Sequence, residues 1–339
     1  MIVAANHETD LLAQLAMSGA AAFHDELRRD LLRRLTAARR RGADDAALIE
    51  VARNVMGRYT VPLARLLADS RLAAFLIGGG RAATRVHLTP PKGGAEDTPT
   101  PGLPPVRRLL DVPGDTWEWD GGAEWWPIIE EAARDLQERQ LLSQPEYAAV
   151  AAEVRAKAFT VAAAQTEEAI GSVRDALVEA VRDGTGVKAF RESVAEDFDT
   201  SALGPGELES IFRTGVATAI SKGLDRVLAE PMIDEEFPFE AWFGIDDSRQ
   251  TELCNVANAS GLDGTNIYYR GDPECQRLRP TRHYNCRCGR TPYTVEMAAV
   301  RGVKYAKEWL RLGYRPPYVN MPRVPVELPT GWTPGGVAA

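Results

Sequence analysis

The chain has 339 residues, of which 45% are hydrophobic: long enough to bury a core and too apolar for a disordered polymer. Its formal net charge of -8 excludes a protein wholly devoted to wrapping nucleic acid. The charge is uneven, because residues 1–90 hold thirteen Arg, no Lys and only nine acidic side chains. The first residues lack a basic n-region and a long apolar stretch, so no signal peptide is expected. The longest apolar run, Leu72 to Gly80, falls well short of the roughly 20 residues that cross a bilayer. The expected setting is a reducing cytosol, or a particle assembled there, where thiols serve as metal ligands rather than as disulfides.

From Leu11 to about Arg85 the spacing predicts helices. Leu11, Leu12, Leu15 and Ala16 form one stripe, and Leu27, Leu31, Leu32 and Leu35 a second with Arg between them. Gly42 breaks that helix, Asp44 or Asp45 caps the next, and Gly78-Gly79-Gly80 reads as a hinge or stop. These residues make a helical N-terminal domain, 1–87, whose arginines face water or meet DNA or an acidic partner. Residues 88–116 are a linker, with nine Pro and Gly between 88 and 105 that cannot pack into regular elements.

A second helical region covers 117–230. It opens on Trp117, Trp119, Trp125 and Trp126, either a partner-binding surface or a loop stapled to the following helix. Ile128, Ile129, Ala132, Ala133 and Leu136 form a stripe. Ser143, Pro145 and Glu146 make a capped helix start that leads to Lys157, with helix resuming from Val161 through Val181. A short helix runs from Val187 to Phe198. Another begins at Pro205, carries Leu208, Ile211, Phe212, Val216, Ile220 and Leu224 on one face, and ends before Pro231.

After Pro231 the period changes to two. Phe237, Phe239, Ala241 and Phe243 alternate along a strand, and Ile267-Tyr268-Tyr269 is a second strand. Thr294 caps a helix from Val295 to Leu312 that Gly313 stops. Residues 231–313 thus form a small α+β domain, and the tail 314–339, with six Pro and three Gly, is expected to be extended. The expected class is mainly α: a helical body, a small α+β Cys/His-containing C-terminal domain and an extended Pro-rich tail.

All four cysteines fall in that α+β domain: Cys254, Cys275, Cys286 and Cys288, with His283 beside the last two. A structural Zn2+ needs four such ligands, which Cys254, His283, Cys286 and either Cys275 or Cys288 supply. The alternative is a set of reduced cysteines in a small core with a surface histidine. Arg279, Arg282, Arg287 and Arg290 interleave with His283 and Tyr284, a composition suited to phosphate, bases or an acidic partner, or to the upstream carboxylates. The chain has no G-x-S-x-G elbow, no H-E-x-x-H helix and no Walker-type loop. Asp246, Asp247 and Asp263 are the only candidates for a Mg2+-dependent phosphodiesterase.

Three runs then resemble one family. Asp247-Ser248-Arg249-Gln250-Thr251-Glu252-Leu253-Cys254, the turn Gly261-Leu262-Asp263-Gly264 and the closing His283-Tyr284-Asn285-Cys286-Arg287-Cys288 are similar to the signature of the phage Mu F-like head-morphogenesis family. Tyr284 stands where the family has proline, and Cys275 is outside the motif. Upstream, Phe212-Arg213-Thr214, Ala158-Phe159-Thr160-Val161-Ala162 and Leu141-Leu142-Ser143 follow the family's order, so the resemblance covers about residues 125–295. It implies a virion component assembled in the host cytoplasm and located inside or at the portal vertex of the head. The implied partners are the portal and the major capsid protein, with packaged DNA as a further contact. Neither a membrane nor a small-molecule substrate is implied, and no enzyme activity is expected. The competing expectation is a metal-dependent nuclease or toxin-like enzyme that uses the Asp/His/Cys region.

Overall fold

In a computed structural model of the chain, the described residues are 2–86, 126–244, 250–280, 286 and 288–313, with all side chains except those of 2–11, 84, 85, 144 and 274. The linker, the tryptophans before Trp126 and the tail lie outside them. The described residues are mainly α-helical, with one three-stranded sheet near the C-terminal end. The chain divides into two compact units: residues 1–73, 104–128 and 143–215, and residues 74–103, 129–142 and 216–339. No helix among the described residues is long and apolar enough to cross a membrane.

The first unit is helical. Helices α1 (Ile2–Arg40) and α2 (Asp45–Arg85) are separated by a turn in which Gly42 takes φ 80°. Asp44 caps α2, its Oδ1 accepting from Ala47 N at 2.9 Å. Downstream of α3 (Trp126–Glu138), helix α4 (Gln144–Arg182) starts at Ser143, whose N–H donates to the Glu146 carboxylate at 2.7 Å. Helix α4 runs unbroken through Ala158–Val161, where the apolar pattern suggested an interruption. Its small residues Ala151, Ala158, Ala162 and Ala169 keep one buried stripe continuous. Helix α5 (Val187–Asp199) packs on both α4 and α1 through Phe190, Val194 and Phe198. On α1, His24 stacks on Phe198 at 5.3 Å, and Arg28 grips Asp199 through Nε and Nη2 at 2.7 and 2.9 Å.

The second unit holds the end of α2, most of α3, the end of α6 (Pro205–Leu228) and everything that follows. Gly78 and Gly79 are not a hinge: α2 continues through them to Arg85. They allow close helix approach. A Cβ at Gly78 would fall on the Ile220 carbonyl, and one at Gly223 on the Phe75 carbonyl. After the short α7 (Pro231–Glu236) comes β1 (Phe239–Phe243), the middle strand of the antiparallel order β2-β1-β3. Its partners are β2 (Ile267–Tyr269) and β3 (Gly289–Tyr293), in registers that set Glu240 opposite Tyr268 and Pro292. Proline in β3 is tolerated because this strand is at an edge.

The pleat of β1 separates two cores. Phe239 and Ala241 face Ile267, Val295, Ala298, Val303 and Trp309. Those last four come from α10 (Val295–Val300) and α11 (Lys304–Leu312), with Val303 in the connection. The single helix suggested by the sequence is broken between them at Gly302, φ 105°. On the opposite side, Trp242 packs with Ala257, Tyr268, Cys275 and Leu278, stacking on Tyr268 at 3.7 Å. These residues come from α8 (Glu252–Ala259), β2 and α9 (Pro273–Leu278).

Candidate metal centre

Cys254 lies in the first turn of α8, where Thr251 caps the helix by accepting from Cys254 N at 3.3 Å. The same turn fixes the direction of the Cys254 side chain and places it at the end of the helix dipole that favours negative charge. Cys286 and Cys288 lie just before β3, so strand pairing with β1 delivers both thiols to one place. The Sγ atoms of Cys254, Cys286 and Cys288 all lie within 4.8 Å of one another. Cys254 and Cys286 are buried, Cys288 half-buried, and all are free thiols. The Cys254–Cys286 sulfur separation is 3.8 Å. That is far longer than the ~2.05 Å of a disulfide. It equals the edge of about 3.8 Å expected for two thiolates at ~2.3 Å from a tetrahedral zinc. Asn258, one turn beyond Cys254 on α8, turns its amide toward Cys288 Sγ at 3.6 Å.

Cys275 does not join this group. It sits on the far core of the sheet with its thiol on Glu240 Oε1 at 3.4 Å. Burial, and then the Glu240 charge, push the Cys275 thiol well above its ordinary range, which keeps it protonated in that core. The structure thus separates two cysteines the spacing left interchangeable: Cys288 converges with Cys254 and Cys286, and Cys275 does not. His283 lies outside the described residues, as do Arg282 and Arg287.

Arg290 is buried and Arg279 largely covered. Both turn inward to Glu240, which is fully buried at the centre of β1. Arg290 Nη1 meets Glu240 Oε2 at 3.1 Å, and Arg279 Nε meets Oε1 at 3.2 Å. The two arginines also pair with Asp225 on α6 at 2.6 and 3.0 Å, and Arg290 donates to the Ser221 carbonyl at 2.7 Å. Trp242 Nε1 adds a hydrogen bond to Glu240 at 2.6 Å. Burial alone would raise the Glu240 carboxyl, but Arg290 and Arg279 outweigh it and hold the group at about 2. This buried network ties α6, β1 and β3 together beside the cysteine group. Sequence reading missed Glu240 as its centre. The available signal was a single acid inside an apolar strand with arginines downstream.

Of the acidic residues of the enzymatic reading, the structure describes Asp263. Asp246 and Asp247 lie outside the described residues. Asp263, at φ 54°, accepts from Lys304 N at 2.8 Å and pairs with Lys304 Nζ at 3.3 Å, serving the start of α11. A cavity of about 750 Å3 is lined by Asp225, Asp234, Arg270 and Arg279, among others. Both of these carboxylates are already paired, Asp225 as above and Asp234 with Arg270 at 2.9 Å.

Comparison with known proteins agrees with the family signature. The chain is similar to the Mu-like prophage FluMu F protein of Haemophilus influenzae, 28% identical over 164 residues. The match covers 44% of this chain and 38% of that relative, so the chain spans well under half of the relative's length. No protein-family model matches the chain. No solved structure matches it. The likeness to a Mu-like prophage F protein thus covers part of each chain at distant identity.

Proposed function

We propose that this protein is a structural minor head component of a tailed phage, a prophage or a gene-transfer particle. It acts in head morphogenesis by binding the portal and the coat while the procapsid assembles. The observation that carries this reading is the ordered Mu F-like motif series in a chain that is independently similar to a Mu-like prophage F protein. The physical character of the chain supports it. Long helices with continuous buried stripes provide rigid packing elements, and the small sheet domain is cross-tied by internal charges rather than opened around a reactive centre.

No enzyme activity belongs to this reading. Of the carboxylates named for the nuclease alternative, Asp263 is engaged by Lys304. Contact with packaged DNA remains part of the proposal. With Arg290 buried and Arg279 engaged by Asp225 and Glu240, it falls to other arginines, such as exposed Arg40 and Arg41 at the end of α1.

Co-expression with the portal protein of the same element tests the proposal. The expected result is a complex that survives size-exclusion chromatography and moderate salt. Failure to associate with portal, coat or procapsids, together with Mg2+-dependent DNA cleavage by the pure chain, overturns it.

A further inference from the structure

The geometry points to a structural zinc site made by the thiolates of Cys254, Cys286 and Cys288, with Cys275 excluded. The inference stands on the thiol geometry and is independent of the role in the phage head.

Three separate features converge. The sulfurs come from two places far apart in sequence, the first turn of α8 and the approach to β3, yet meet within 4.8 Å without forming a disulfide. Their closest pair has the 3.8 Å spacing of a tetrahedral thiolate edge. Their surroundings accept negative charge: Cys254 is in the first turn of a capped helix, and the Asn258 amide is directed at Cys288. Thiolate donors select a soft or borderline ion, which excludes Mg2+ and Ca2+ and favours Zn2+. Binding replaces three S–H protons by one Zn2+, so three protons are released to solvent and no electrons move.

The site clips α8 to the strand β3, closing the long loop between them. It is separate from the Glu240 network, which ties β3 to α6 by ion pairs and hydrogen bonds. Metal loss should therefore open the α8–β3 closure while leaving the Cys275 core folded.

Measurements on the chain, purified untagged under reducing conditions, test this. Elemental analysis should find one zinc per chain. Ellman's reagent should modify Cys254, Cys286 and Cys288 only after a zinc chelator is added, with Cys275 protected until the protein unfolds; peptide mapping identifies the modified residues. Cys275→Ser should keep its zinc, whereas Cys254→Ser and Cys286→Ser should lose it. Because those variants can fail to fold, the unmodified chain is also exchanged with Co2+. Tetrahedral ligand-field bands with strong thiolate-to-cobalt charge transfer are expected. Absence of metal combined with equal thiol reactivity before and after chelation overturns the site, as does an octahedral Co2+ spectrum. Zinc loss in Cys275→Ser with retention in Cys288→Ser overturns the ligand set. None of these failures bears on association with the portal.

Discussion

Arg290 Nη1 lies 3.1 Å from Glu240 Oε2, with only 2% and 1% of the two side chains exposed. Two charges this deep are tolerated because each is multiply satisfied, Glu240 by Arg279 and Trp242 as well, and Arg290 by Asp225 and Ser221. Removing one partner strands the other without water. Arg290→Ala or Glu240→Ala is expected to cost about 3–5 kcal/mol in urea unfolding. The double variant should cost less than the sum of the two, since the second change removes the stranded charge.

The same pair sets an acid limit. The Glu240 carboxyl is at about 2 in the folded protein against an ordinary 4.5. The unfolded chain therefore takes up this proton first as pH falls. The stabilisation is complete above the unfolded value of 4.5 and is lost as pH drops toward 2. It amounts to something on the order of 3 kcal/mol. Unfolding free energies measured across that window should fall steeply, and Glu240→Gln should flatten the slope.

Glycine substitutions separate two roles of helical glycines. Gly78→Ala and Gly223→Ala push a methyl onto the carbonyls of Ile220 and Phe75, where backbone cannot yield. Each should destabilise by about 1–3 kcal/mol or more. Gly57→Ala meets nothing within 4 Å and sits exposed in α2. It should stabilise by roughly 0.5–1 kcal/mol through reduced backbone freedom of the unfolded chain. Thermal unfolding of the three variants distinguishes a close helix approach from a hinge, for which all three changes would act alike.

His283 precedes Cys286 by three residues and is the nitrogen donor the sequence offers for a fourth position of the proposed zinc site. His283→Ala is expected to weaken zinc binding at least about tenfold in competition with a chromogenic chelator. Unchanged affinity would show that another group, or solvent, fills that position.

Much of the helical body was legible because its signals are local. The S-x-x-E start at Ser143, the Asp44 cap and the Phe190/Val194/Phe198 spacing each act within a turn or two of chain. What was not legible depends on partners distant in sequence. Gly78-Gly79-Gly80 looks like a stop until Gly223 and Ile220 are brought against it. β3 was missed because Gly289-Arg290-Thr291-Pro292-Tyr293 lacks apolar alternation and sets Gly and Pro beside its strand formers Thr291 and Tyr293; pairing with β1 creates it. The cysteine motif pointed to converging thiols in outline, but spacing alone could not choose between Cys275 and Cys288. The deciding factor was the pleat of β1, which puts Cys275 and Glu240 on a shared core. Arg279 and Arg290 misled for the same reason, since a basic run reads as a surface until a buried acid is found for it.

The most direct test of the head-protein account is a quantitative protein count of heads purified from cells producing the particle that encodes this chain. The account predicts the chain in the head fraction, at far fewer copies than the coat protein, and lost from heads assembled without portal. Its absence from heads that are otherwise complete would contradict the account.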